Sequence, residues 1–160
     1  MNGEIMHTSV LVAVDGSTQS DYALAQFLKM INTEKTKITV LYVVVPSRYI
    51  IIEKASGSGT QAPREMREQL VKQEEENIRQ RVQKISEEED VQIEMMVRSG
   101  DPRSEILSVA KEINASLLVM GSTGEGLGER VSLGSVERLL LGSVSSYVST
   151  HSEISTMIIR

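Results

Sequence analysis

The chain contains no cysteine and no tryptophan, and Phe27 is its single phenylalanine. Without cysteine there are no disulfides, no thiolate metal centres and no cysteine nucleophile, a composition that fits a reducing cytosol. With aromatics at 3%, the core has to be built from Val, Ile, Leu and Met. Basic residues are also short: the formal net charge is −5, which gives no support to nucleic-acid binding, where a basic surface is expected. No apolar run approaches the roughly 20 residues of a membrane span. The start, MNGEIMHTSV, lacks the basic region and long apolar stretch of a signal peptide. There are two histidines. His7 precedes the first predicted strand, and His151 falls at the end of the last predicted helix, where a cation suits the helix dipole. No Ser/His/Asp or metal-ligand constellation stands out, and no general base does either.

What is present is an ordinary globular composition, 40% apolar and 24% charged over 160 residues, read as a single domain spanning 1–160. SVLVAV (9–14) is a continuous apolar run of the kind buried on both faces of a parallel sheet. DGSTQS and a helix follow, with Thr18 and Asp21 resembling a capping box and Tyr22, Ala25, Phe27, Leu28 and Ile31 as its apolar face. KITVLYVVV (37–45) is a second buried strand, and SGSGTQAP reads as a loop. Arg64 to Glu89 is a charged helix with a stripe at Met66, Leu70, Ile78, Val82 and Ile85. VQIEMMV (91–97) is a third strand. Asp101 is placed as an N-cap with Pro102 at the first helical position, and Ile106, Val109, Ala110 and Ile113 line that helix. SLLVM (116–120) is a fourth strand. A helix bearing Val144, Tyr147, Val148 and His151 and a final strand, STMIIR, close the chain. The alternation predicts a doubly wound α/β fold with a parallel sheet and helices on both faces. In such sheets ligands bind beyond the carboxyl ends of the strands, where strand order reverses.

Two segments compete for that position, VAVDGS after the first strand and VMGSTG after the fourth. Glycine-rich turns expose successive N–H groups that form anion sites, and a following helix N-terminus adds positive partial charge. Gly121-Ser122-Thr123-Gly124 and Gly142-Ser143 fit that requirement, although the loop matches neither the Walker pattern nor G-x-G-x-x-G. Asp15 reads either as a turn or capping residue, or as an acceptor for a ribose hydroxyl or a ligand to a phosphate-bound metal. A receiver domain is disfavoured, because the third strand ends in Val97-Arg98-Ser99 rather than a phosphorylatable Asp.

VLVAVDGS, SGDPRSEIL, ASLLVMGSTG and LLLGSVSSYV, in that order and followed by an aliphatic strand, resemble the universal stress protein family over nearly the whole chain. The resemblance implies a five-stranded parallel sheet of order 3-2-1-4-5, Rossmann-like and of the adenine nucleotide alpha hydrolase-like type. It implies a cytoplasmic homodimer paired through the C-terminal strand, where Thr156 to Ile159 would otherwise leave an aliphatic edge. ATP is the implied cofactor, with Mg²⁺ on its phosphates. Asp15 then matches the acidic residue near ribose and adenine, and Val43 the position whose backbone meets adenine. Met120, Gly121 and Gly124 match the start of the phosphate loop, and Gly142, Ser143, Val144 and Ser145 its end. Ala13 stands where some ATP-binding members carry Pro. The family's ATP motif is Gly, two residues, Gly, nine residues, then Gly-Ser or Gly-Thr. Gly134-Ser135 satisfies that spacing literally, whereas the sequence around Gly142-Ser143 matches the family better. Reading Gly142-Ser143 as the end of the motif makes GERVSLGS (128–135) an insertion in the loop. The alternatives are that Gly134-Ser135 holds phosphate at the head of a longer last helix, or that the insertion blocks the pocket. The implied function is an ATP-dependent switch or sensor in the stress response. A non-nucleotide homodimeric interaction module of the same fold stands beside it, and a slow ATPase is the weakest reading.

Overall fold

The computed structural model describes residues 8–47, 64–123 and 141–160. His7, the SGSGTQAP stretch, Gly124, the insertion at 128–135 and the Gly134-Ser135 pair lie outside the described residues. Five strands are assigned: β1 (Thr8–Val14), β2 (Thr36–Val44), β3 (Ile93–Ser99), β4 (Leu117–Gly121) and β5 (Ser155–Ile159). The helices are α1 (Thr18–Met30), α2 (Arg64–Glu88), α3 (Pro102–Glu112) and α4 (Ser143–His151). The strands form one parallel sheet of order β3-β2-β1-β4-β5, as expected.

Side chains alternate across a strand, so each interior strand feeds two cores. Val10, Val12 and Val14 of β1, with Ile38, Val40, Tyr42 and Val44 of β2, pack against Ala23, Leu24, Phe27 and Leu28 of α1 and Ile78 and Val82 of α2. Leu11 of β1 and Leu41 and Val43 of β2 face the other way, onto Ile106, Val109 and Ala110 of α3 and Val148 of α4. This double coverage is why β1 and β2 read as unbroken apolar runs. Met95 and Met96, adjacent on β3, divide between the two cores as filler.

Several local expectations are corrected. The N-cap of α1 is Ser17, whose Oγ accepts the Ser20 N–H at 3.1 Å, rather than Thr18. The buried face of α1 runs through Ser20, Ala23, Leu24, Phe27 and Leu28, leaving Tyr22 48% exposed. On α2 only Ile78 and Val82 are buried, Val71 and Ile85 are partly so, and Met66 and Leu70 face outward. The third strand begins at Ile93 because the chain is still turning before it: Asp90 takes φ 53° and the Val91 N–H returns to Ser86 O at 3.0 Å. Asp101 caps α3 as expected, accepting the Arg103 N–H at 2.9 Å with Pro102 at the first helical position.

Candidate functional site

The order reversal lies between β1 and β4, and there, at the carboxyl ends of the strands, opens a cavity of about 520 Å³. That volume is within the usual range for small-molecule sites. Its apolar lining comes from Ala13 and Val14 of β1, Leu41 and Val43 of β2, Met120 of β4, and Pro102 and Ile106 of α3. Its polar lining comes from three turns: Asp15 with Ser20, Gly121 with Thr123, and Gly142 through Ser145. The cavity therefore gathers Ala13, Asp15, Val43, Met120, Gly121, Gly142, Ser143, Val144 and Ser145 from segments far apart in sequence. Gly124 lies outside the described residues.

Asp15 ends β1 and caps its own turn: Oδ1 accepts the Ser17 N–H at 3.0 Å and the Ser17 hydroxyl at 2.6 Å. The turn reading of this aspartate holds, and the same residue borders the cavity. Gly16 between them has φ +83°, a conformation that side chains rarely adopt, so glycine is required here for its backbone freedom. Gly142 is different. Its φ of −61° suits any residue, and a Cβ there would meet Ser122 O at 3.5 Å and Ser145 Oγ at 3.5 Å, ordinary contact distances. Gly121 likewise has room for a Cβ.

The segments after β4 and before α4 are joined through one peptide. Ser122 is buried. Its carbonyl accepts the Gly142 N–H at 2.7 Å and the Ser145 hydroxyl at 2.9 Å. Its N–H donates to Ile159 O at 3.0 Å, tying the same residue to the end of β5. Gly142 offers α4 no side-chain cap. The N–H groups of Ser143, Val144 and Ser145 have no acceptor within the helix, and these residues border the cavity. A helix N-terminus presented in this way favours an anion.

Among the described residues, Asp15 is the one carboxylate in the cavity lining, and no cluster could by itself hold a metal ion. The donor set, backbone N–H groups and small hydroxyls at a helix N-terminus, fits an anionic ligand. His151 is elsewhere. It stacks on Tyr147 with centroids 3.9 Å apart, at the exposed end of α4. No helix among the described residues is long and apolar enough to cross a membrane.

Sequence reasoning missed Ser20, Pro102 and Ile106 as lining residues, whereas Thr123 fell inside the Gly121-Ser122-Thr123-Gly124 turn. Pro102 and Ile106 were legible only as a helix start and a core position, and nothing in their spacing points to a cavity. It also missed Arg81 of α2. The Arg81 guanidinium donates through Nη1 to Gly16 O and through Nε to Asp21 Oδ2 at 2.7 Å, and Nη2 pairs with the same carboxylate. Burial raises the Asp21 carboxyl above its ordinary value, outweighing the pull of Arg81 in the other direction; Asp15 adds a smaller upward push.

Comparison with known proteins adds three findings. The sequence model of the universal stress protein family matches residues 6–160. The universal stress protein YxiE of Bacillus subtilis is 30% identical over 159 residues, covering 97% of this chain and 100% of that protein. Among solved structures, a universal stress protein in complex with cAMP superposes with a TM-score of 0.61 at 21% identity, over 97% of this chain and 98% of the other. One from Archaeoglobus fulgidus in complex with dAMP gives 0.63 at 17% identity, over 97% and 99%.

Proposed function

The chain belongs to the universal stress protein family, and from that premise we propose that its cavity binds an adenine nucleotide, ATP foremost, and that binding serves as a switch or sensor in the stress response. One observation carries the reading: the turn holding Asp15, the Gly121–Thr123 segment and the N-terminus of α4 all border one partly apolar cavity. In this reading the base lies against Val43, Leu41 and Ile106, and Asp15 accepts from the ribose. The N–H groups of Ser143 and Ser145 and the Ser143 hydroxyl, with the Gly121 segment, take the phosphates. Mg²⁺ would come with the nucleotide and neutralise phosphate charge. The binding of cAMP and dAMP by the two structural neighbours supports the adenine class.

The contact of Gly142 with Ser122 supports the Gly142-Ser143 end of the loop as the phosphate end. Among the described residues the lining offers no histidine or lysine to activate a water, and the site is read as one for binding, with weak ATP hydrolysis at most. β5 is an edge strand of the sheet, and we propose that it pairs antiparallel with a second copy, giving a cytoplasmic homodimer.

The test is a calorimetric titration of ATP into purified protein and into Gly121→Val and Gly142→Val. Both positions accept a Cβ at ordinary contact distances, and the added bulk crowds the two turns that border the cavity. Each should weaken binding by roughly tenfold or more. A wild type that does not bind ATP overturns the nucleotide reading and leaves the alternative raised by the GERVSLGS insertion, a homodimeric interaction module that uses no nucleotide.

A further inference from the structure

The helix α2 supplies no residue to the cavity lining, yet its Arg81 grips the turn that presents Asp15. Gly16 O, between Asp15 and the Ser17 that holds the Asp15 carboxylate, accepts from Arg81 Nη1. The other arm of the guanidinium is anchored on Asp21 in the first turn of α1, with Nε to Oδ2 at 2.7 Å. The turn is pressed from the same side. A Cβ on Gly16 would stand 3.2 Å from Ile78 Cδ1, and Ile78 is buried one turn before Arg81 on α2. A left-handed glycine leaves several backbone paths open to the segment, and a fixed guanidinium fork across its carbonyl selects one of them. The fork matters as well as the charge, since it donates in two directions to two elements at once.

We propose that Arg81 is a positioning residue for the ligand site, acting from behind the cavity by holding the Asp15-Gly16-Ser17 turn so that Asp15 faces the sugar of the bound nucleotide. The inference rests on the nucleotide reading above, and it predicts an effect confined to what Asp15 recognises. It gives α2, the most charged of the described helices, a part in ligand selection.

The experiment compares wild type, Arg81→Met, Asp15→Asn and the double variant, each titrated with ATP and with 2′,3′-dideoxy-ATP, which lacks both ribose hydroxyls. Arg81→Met should weaken ATP by about tenfold, the scale of one hydrogen bond to a charged group, and change dideoxy-ATP little. The double variant should bind ATP no more weakly than Asp15→Asn alone, because both changes remove one arrangement. Equal losses for the two nucleotides, or additive losses in the double variant, overturn the proposal in favour of a purely structural Arg81. Arg81→Lys keeps the charge beside Asp21 without the fork. It serves where the methionine variant unfolds, and should still lose ATP affinity several-fold.

Amide hydrogen exchange gives a readout without ligand. The Ser17 N–H, which donates to Asp15, should exchange faster in Arg81→Met than global stability accounts for. If the wild type binds no ATP, the nucleotide reading fails alone and exchange at Ser17 decides for or against Arg81. An unchanged Ser17 rate overturns it.

Discussion

The Ser145 hydroxyl donates to the Ser122 carbonyl at 2.9 Å across 23 positions of sequence, and both residues are buried. This contact, with the Gly142 N–H on the same carbonyl at 2.7 Å, makes one unit of the end of β4 and the start of α4. Ser145→Ala removes one of two donors while leaving the carbonyl partnered by Gly142. The expected cost is about 1 kcal/mol of unfolding free energy by chemical denaturation, with ATP affinity reduced in parallel. A variant as stable as the wild type would show that this hydroxyl does not join the two segments.

Thr39 gives a prediction of opposite sign. It is 1% exposed in the centre of β2, and its Oγ1 has no hydrogen-bond partner. An unpaired buried hydroxyl costs free energy that an apolar group of the same shape does not. Thr39→Val should therefore raise stability by roughly 1 kcal/mol, read from a denaturation midpoint. A loss of stability would mean the hydroxyl has found a partner in solution.

Asp21 predicts a pH dependence. Its carboxyl is raised from the ordinary 3.8, chiefly by burial and against the opposing pull of Arg81. A raised carboxyl favours the folded state while protonated, so the contribution is complete below the ordinary value and is lost as pH rises through the raised one. Asp21→Asn does not titrate. Measured from pH 3 to pH 7, its stability relative to the wild type should improve as pH rises through the carboxylate range. A relative decline over the same interval would show that the Arg81 pair outweighs burial.

At α3 stability and binding should separate. Asp101 caps the helix from an exposed position, accepting from the Arg103 N–H at 2.9 Å. Asp101→Ala should cost about 1 kcal/mol with little change in ATP affinity, since the carboxylate is absent from the cavity lining. A large loss of affinity would place Asp101 in the site.

The strands were legible because β1 and β2 are covered on both faces, which leaves apolar runs such as SVLVAV without polar interruption. The two glycine segments were legible for the same reason, since each directly follows or precedes such an element. What stayed hidden depends on backbone angles and long-range contacts. Ser17, Thr18 and Ser20 are all plausible caps, and only the extended ψ of 155° at Ser17 selects it. Gly142 was legible as the start of an anion-binding turn, but nothing in the sequence showed that its backbone takes angles open to any residue and that its N–H is spent on the Ser122 carbonyl. Arg81 is one of many charges on α2, and no spacing along that helix points to Gly16. The expected stripe through Met66 and Leu70 follows helical period correctly, but the first turns of α2 place both residues outside the buried surface.

The Ile159 carbonyl receives the Ser122 N–H at 3.0 Å and the Gln19 Nε2 at 3.4 Å, so the last strand holds both the loop after β4 and the first helix. Synthesis runs from the N-terminus, and early segments leave the ribosome first. Asp15 and Val43 emerge early and wait for Ser145, and the loop they face is fastened only when Ile159 follows. On the proposed nucleotide reading the nascent chain is thus deaf to ATP: a cell-free translation stalled before residue 155 should yield chains that ATP does not protect from proteolysis, whereas released chains should gain that protection.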